Sequence, residues 1–251
     1  MRTFVINLPS AKERLKNIKN QLNYLWIEYE IFPAIYWKNL TKDEIELNYD
    51  SLKAKKYLWR NLTLWEIWCA LSHAWIWRKI LKENIPIAFI LEDDAMIHPD
   101  TKKIYNSLNI NSTKRDYISL NYKTVDIAEV TRYTKYINKN FLKKNLIKYV
   151  VHLFWIIAIF LIEHFLILIS KIKGCFIIRR WKPSYFMWWY FITHEWAKKL
   201  LETYDKIFVP CDLLPEKFWK QVNLKFGVTI PELVKQNDGF FSYIDAIEQR
   251  K

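Results

Sequence analysis

Glycine is almost missing from this chain: Gly174, Gly227 and Gly239 are the only three in 251 residues, where an ordinary protein carries roughly 7%. No Gly-rich phosphate loop can be built from them. Any turn that needs a positive φ must be made by another residue, at a cost in strain. Cysteine is sparse as well. Cys69, Cys175 and Cys211 are odd in number, widely separated, and form no Cys-x-x-Cys pair, which fits a reduced, cytosolic compartment best. No His-x-x-x-His or His-Glu-x-x-His pattern occurs, so zinc hydrolysis is set aside. The run from Met1 to Pro9 has too short an apolar stretch for a signal peptide and no small-residue cleavage site, which argues against secretion. There is no internal repeat or low-complexity linker, and one domain over residues 1–251 is the economical reading.

Tryptophan is abundant, with 13 residues, and hydrophobic content of 51% against 26% charged residues describes a folded chain. The net charge of +13 favours anionic partners: a membrane surface, nucleic acid or a phosphorylated substrate. No helix-turn-helix, zinc-finger or RNP pattern supports nucleic acid. The most informative stretch is Ile87-Ala88-Phe89-Ile90-Leu91-Glu92-Asp93-Asp94-Ala95. Its continuous apolar run predicts a strand covered on both faces of an α/β sheet. Glu92, Asp93 and Asp94 then lie beyond the strand's carboxyl end, where ligands sit in open α/β sheets. Two readings stand for the triplet: a solvated acidic turn capping the next helix, or a seat for a hard divalent cation such as Mn²⁺ or Mg²⁺.

Phe4–Leu8 reads as a first strand, Ser10-x-x-Glu13 as a capping box opening a helix to Tyr24, and Tyr29–Phe32 as a second strand. Asn7, near the first strand's end, either meets a donor nucleotide or satisfies the turn backbone. Thr41-x-x-Glu44 and Thr63-x-x-Glu66 are further boxes, the second opening an apolar helix to Leu81. His73 within it is a hydrogen-bonded core residue or an orienting ligand. Tyr117–Leu120, Tyr185–Thr193 and Ile207–Val209 read as strands, with a helix from His194 to Tyr204. Asp212, just past Val209, is an N-cap for a helix over 213–220 or a catalytic carboxylate. The stretch around Pro231 and Gly239 reads as a peripheral loop and helix. Tyr149–Ile169 is about 20 residues long, enough to span a bilayer. Glu163 and His164 near its middle argue against spanning. A core or interface helix, an interfacial membrane helix and a true span all remain open for it.

With these segments placed, the chain resembles glycosyltransferase family 25, the bacterial lipooligosaccharide galactosyltransferase-like proteins. The resemblance rests on Phe4-Val5-Ile6-Asn7-Leu8 with Arg14, on Leu62-Thr63 to Leu71-Ser72-His73, and on Ile90-Leu91-Glu92-Asp93-Asp94-Ala95. Tyr190-Phe191-Ile192-Thr193 with Ala197-Lys198-Lys199-Leu200-Leu201 completes the ordered set. It implies a GT-A-like, Rossmann-like mixed α/β sheet with flanking helices and transfer of a hexose, usually galactose, from a UDP-sugar with inversion. By the same resemblance Glu92 and Asp94 flank the donor's ribose and a Mn²⁺ or Mg²⁺ ion, Asp93 contributes to either, and His73 lies near the donor. An inverting displacement also needs a base for the acceptor's proton, and Asp212 is the candidate. The expected setting is the cytoplasmic face of a bacterial inner membrane. There the anionic surface and a lipid-linked oligosaccharide acceptor would account for the lysines.

The chain departs from the family in a pattern. Where members commonly carry glycine, in Gly-Glu-x-Gly-Cys and Gly-Tyr-Phe-Ile-Ser/Thr-x-x-Gly-Ala, this sequence has Trp65, Trp68, Trp189 and Trp196, with Trp188 a further candidate. Glycine and tryptophan codons can differ by a single base, so a systematic substitution is one explanation. Overfilling such sites typically costs about 1–3 kcal/mol each, against a domain stability of roughly 5–15 kcal/mol. The expectation is reduced activity or stability relative to the glycine form, and the alternative function is a non-catalytic, membrane-associated binding protein that keeps the fold. Shrunken neighbours, or indoles serving as sugar-stacking platforms, are the other explanation.

Overall fold

The computed structural model describes residues 1–35, 41–108, 115–121, 176–179, 189–214 and 225–237, with isolated positions at 154, 158, 161, 162, 165, 223 and 239. Its strands are β1 (Arg2–Asn7), β2 (Glu30–Pro33), β3 (Ile87–Glu92), β4 (Ala95–Ile97), β5 (Tyr117–Ser119), β6 (Phe176–Arg179), β7 (Tyr190–Thr193), β8 (Phe226–Ile230) and β9 (Val234–Gln236). Seven of them form one mixed sheet in the order β2-β1-β3-β7-β5-β8-β6, and β4 pairs with β9 apart from it. β1 runs parallel to both β2 and β3, while β7 is antiparallel to β3 and β5.

The continuous apolar run at β3 has the cause expected of it. Ala88 and Ile90 enter one core cluster, Phe89 and Leu91 the other, because successive side chains point to opposite faces and both faces are covered. On the first face lie α4 (Leu64–Lys82) and α6 (His194–Thr203), whose Trp77, Ile80, Trp196 and Leu200 join that cluster. On the second lie α1 (Lys12–Tyr24) and α5 (Thr101–Ser107), through Ile18, Leu22 and Ile104. Phe89 is fully buried and stacks on Phe191 at 4.3 Å. Truncating such a ring to alanine typically costs about 3–5 kcal/mol.

Two capping boxes form as read. Thr63 accepts from the Glu66 amide while Glu66 accepts from the Thr63 amide, and Thr41 with Glu44 does the same at α2 (Lys42–Asn48). The box at Ser10 does not form. α1 starts one residue later, with Ala11 at the N-cap and no side-chain cap, so Glu13 falls one position short of the reach the box requires. Ile207–Val209 is not a strand. Ile207 makes a single bridge to Tyr49, just before α3 (Ser51–Leu58). The stretch around Pro231 holds two strands instead of a peripheral loop and helix. β8 lies inside the sheet between β5 and β6. Gly227 sits there because a Cβ would stand 3.0 Å from Ile177 Cγ2.

Of the Trp residues at family glycine positions, Trp189 packs in one cluster and Trp196 in the other, so the core has received both rings. The residual cost at Trp196 is its buried Nε1, which has no hydrogen-bond partner among the described residues, a penalty of about 1–3 kcal/mol. The segment 149–169 lies outside the described residues except for five helical positions, of which Phe154, Leu161, Ile162 and Phe165 are exposed. Among the described residues no helix is long and apolar enough to cross a membrane. Trp188 and residues 215–222, which include most of the helix read after Asp212, also lie outside them.

Candidate active site

The parallel register of β1 and β3 sets Ile6 opposite Glu92, so the next residues, Asn7 and Asp93, leave the sheet side by side. Asn7 Nδ2 donates to Asp93 Oδ2 at 2.6 Å, and Arg14 Nη1 reaches Asp93 Oδ1 at 3.3 Å and Asp94 Oδ2 at 3.6 Å. Gln236 Nε2, from β9, donates to Asp94 Oδ2 at 3.2 Å. α4 delivers His73 from beneath, fully buried, with Nε2 at 3.3 Å from Glu92 Oε1 and Nδ1 at 2.8 Å from the Tyr190 hydroxyl. Asp212 lies in a 3₁₀ turn, Cys211–Leu213.

These groups border one cavity of about 700 Å³, lined among others by Arg14, Trp65, His73, Glu92, Asp94 and Asp212. Asn7 stands behind its wall, orienting Asp93. Of the six residues singled out in sequence, five therefore line the cavity and the sixth touches one of them. Arg60 closes a bidentate pair on Glu66 at 2.7 and 2.6 Å at the cavity edge. Trp65 and Trp68 meet there edge to face, with centroids 4.3 Å apart.

The carboxyls hold one another in a costly state. Burial, then the charges of Asp93 and Asp212, push Glu92 up to about 8. Burial followed by the Glu92 charge pushes Asp94 up to about 7. Asp93 is also raised by burial, against the pull of Asn7 and Arg14, and Asp212 is raised chiefly by burial. The three acids of the triplet have Arg14 as the arginine that reaches them, Arg60 being paired with Glu66, and are short of positive charge. Asp94 Oδ1 is buried and has no partner among the described residues. An orphaned carboxylate oxygen beside two further acids fits a hard divalent cation, for which oxygen is the preferred ligand.

Sequence reasoning gave no role to Arg14, Gln236 or the Cys69–Cys211 pair. Gln236 stands 142 positions from Asp94, so no local pattern announces it.

The family model described as glycosyltransferase family 25 (LPS biosynthesis protein) matches residues 1–215. Procollagen galactosyltransferase 1-A of Xenopus laevis is 32% identical over 133 residues, 50% of this chain and 22% of its own length. A glycosyltransferase 25 family member of Aedes aegypti is 33% identical over 103 residues, 40% of this chain and 17% of its own. Lipooligosaccharide biosynthesis protein lic2B of Haemophilus influenzae is 30% identical over 100 residues, 40% of this chain and 36% of its own. The chain thus spans under a quarter of the first two relatives' length and about a third of the last. A glycosyltransferase involved in glycosylation of the major capsid of PBCV-1 aligns over 99% of this chain and 100% of its own with a TM-score of 0.43 and 9% identity.

Proposed function

Because the chain belongs to glycosyltransferase family 25, we propose that it is a metal-dependent, inverting transferase that moves a hexose, galactose foremost, from a UDP-sugar to a saccharide hydroxyl in lipooligosaccharide or lipopolysaccharide core assembly. The observation that carries this reading is the buried Asp94 Oδ1, without a partner among the described residues, in a cavity also lined by Glu92 and Asp93. Glu92 and Asp94 would hold Mn²⁺ or Mg²⁺. A divalent ion bound there supplies positive charge against the diphosphate leaving group. Asp93, fixed by Asn7 and Arg14, keeps the triplet's turn in place and presents a second acceptor to the donor. His73, pinned between Tyr190 and Glu92, sets the orientation of the Glu92 carboxylate.

Asp212 lines the cavity from another wall, which supports it as the base that would take the acceptor hydroxyl's proton. Its affinity for protons, raised by burial, suits a base that must accept one and later return it to water. The chain's charge of +13 and the exposed apolar residues Phe154, Leu161, Ile162 and Phe165 support a lipid-linked acceptor met at the cytoplasmic membrane face.

The Trp65–Trp68 pair favours a second reading, since both rings line the cavity at positions where the family resemblance implies glycine. On that reading the protein binds donor at the membrane without turning it over. A panel of UDP-sugars with a lipooligosaccharide acceptor, analysed by NMR for the anomeric configuration of product, tests the first. Inverted galactoside is the expected product. Tight Mn²⁺-dependent UDP binding with no product from any donor would establish the second.

A further inference from the structure

The acid triplet leaves one side of the cavity without a role. Cys69 and His73 stand one turn apart on α4, and Cys211 opens the 3₁₀ turn that faces them. Cys69 Sγ lies 3.8 Å from Cys211 Sγ and 4.0 Å from Glu92 Oε1. The two sulfurs and a ring nitrogen of His73 all fall within 4.8 Å of one another. In a tetrahedral zinc site, with Zn–S near 2.3 Å, two sulfurs sit about 3.8 Å apart. A disulfide would need them at about 2.05 Å, and both cysteines are free.

The surroundings complete the chemistry. The His73 ring is held at Nδ1 by the Tyr190 hydroxyl, which Trp77 Nε1 also contacts at 3.0 Å. Such a partner on the far nitrogen fixes the ring of a metal-bound histidine and leaves Nε2 for the ion. Cys69, His73, Cys211 and Glu92 all line the cavity, so an ion has a path in.

We propose that Cys69 Sγ, Cys211 Sγ and His73 Nε2 form a site for a soft divalent cation, Zn²⁺ by its ligand chemistry, with the Glu92 carboxylate as fourth ligand. Thiolate and imidazole select Zn²⁺ over Mn²⁺ and Mg²⁺, whereas the all-oxygen set at Asp94 does the reverse. The two sites adjoin and share Glu92. Each thiol binds as thiolate and Glu92 as carboxylate, so up to three protons leave to solvent per ion bound, with no change of oxidation state. On the reading of the preceding subsection, Zn²⁺ engages a carboxylate that the transfer reaction needs, and so inhibits it.

The test uses the full chain, stripped of metal by chelation, reduced, and titrated with Co²⁺ as a coloured stand-in for Zn²⁺. The expected result is sulfur-to-cobalt charge-transfer absorption saturating at one equivalent and bleached by Zn²⁺. Cys69→Ser and Cys211→Ser each weaken binding at least tenfold, whereas Asp94→Asn leaves the absorption intact. Asp94→Asn removes the Mn²⁺ site instead, so this proposal and the transferase reading fail separately. X-ray absorption on the zinc-loaded wild-type protein, which needs no variant to fold, is expected to count two sulfur ligands. No sulfur ligand, or absorption that survives in the Cys69→Ser/Cys211→Ser variant, would overturn the proposal. So would a single titratable thiol in the protein unfolded without reductant, because that marks the pair as a disulfide.

Discussion

Trp26→Gly is expected to stabilise the protein. The end of α1 is closed by the Trp26 amide on the Asn23 carbonyl and the Ile27 amide on the Leu22 carbonyl, both at 3.0 Å. That pair of bonds is the Schellman motif, whose penultimate position is left-handed and usually glycine. Trp26 holds it with φ 51 and 87% of its surface exposed, so the ring contributes little packing while the backbone bears the strain. A left-handed L-residue costs roughly 1–2 kcal/mol, partly offset by the extra unfolded-state freedom that glycine brings, about 0.4–1 kcal/mol. The net gain is about 0.5–1 kcal/mol, or roughly 1–4 °C in Tm for a domain of this size. Trp59→Gly, at φ 61 after α3 and 93% exposed, should add a similar increment. Asn84 makes the same closure after α4, at φ 50, with a side chain that tolerates it. Asn84→Gly is therefore the control and should move Tm by less. Thermal melts followed by circular dichroism decide the matter; a Tm unchanged or lowered in both tryptophan variants would refute the argument. Among the described residues two of the four non-glycine positive-φ residues are tryptophan, in a chain nearly devoid of glycine. A coding difference that reads tryptophan for glycine would produce that pattern, and peptide masses from the protein's own source would distinguish the two residues at 26 and 59.

Asp212→Asn should lower kcat by about 10²–10⁴ with little change in UDP affinity, as expected when a general base is lost; steady-state kinetics with calorimetric UDP binding would show it. Glu66→Gln keeps the Thr63 capping box and removes only the charge facing Arg60. Burial raises Glu66, but the Arg60 and Thr63 bonds outweigh it and hold it below 4.5 in the folded state. Its contribution is thus complete above 4.5 and lost as pH falls through the depressed value, so the Tm gap between wild type and variant should close in acid. Trp65→Gly with Trp68→Gly widens the cavity and should increase UDP release per enzyme. Unchanged release would show that these rings leave the reaction path clear.

What could be read in advance was local. Ile87–Leu91 announced a strand covered on both faces because nothing polar interrupts it, and its position ahead of three acids marked the site. Thr63 and Glu66 announced the start of α4 through two hydrogen bonds made within four residues. The same signal misled at Ser10, where the chain makes another turn before the helix begins. β8 was missed because Gly227 and Thr229 interrupt the short apolar run of Phe226–Ile230, whereas in the fold Gly227 marks a close approach of β6. The partners that complete the site, Gln236 on Asp94 and Cys211 on Cys69, come from 142 positions away. Only the register of the sheet and the turn after Val209 bring them there.

The measurement that bears most directly on the central claim is UDP release from UDP-galactose with and without Mn²⁺, comparing the parent with Asp94→Ala. Release that requires the ion, and that falls on the order of 100-fold or more in the variant, is the predicted result. Release at the parent rate in Asp94→Ala, or release indifferent to Mn²⁺, would contradict the assignment of Asp94 and its neighbours as the seat of a catalytic cation.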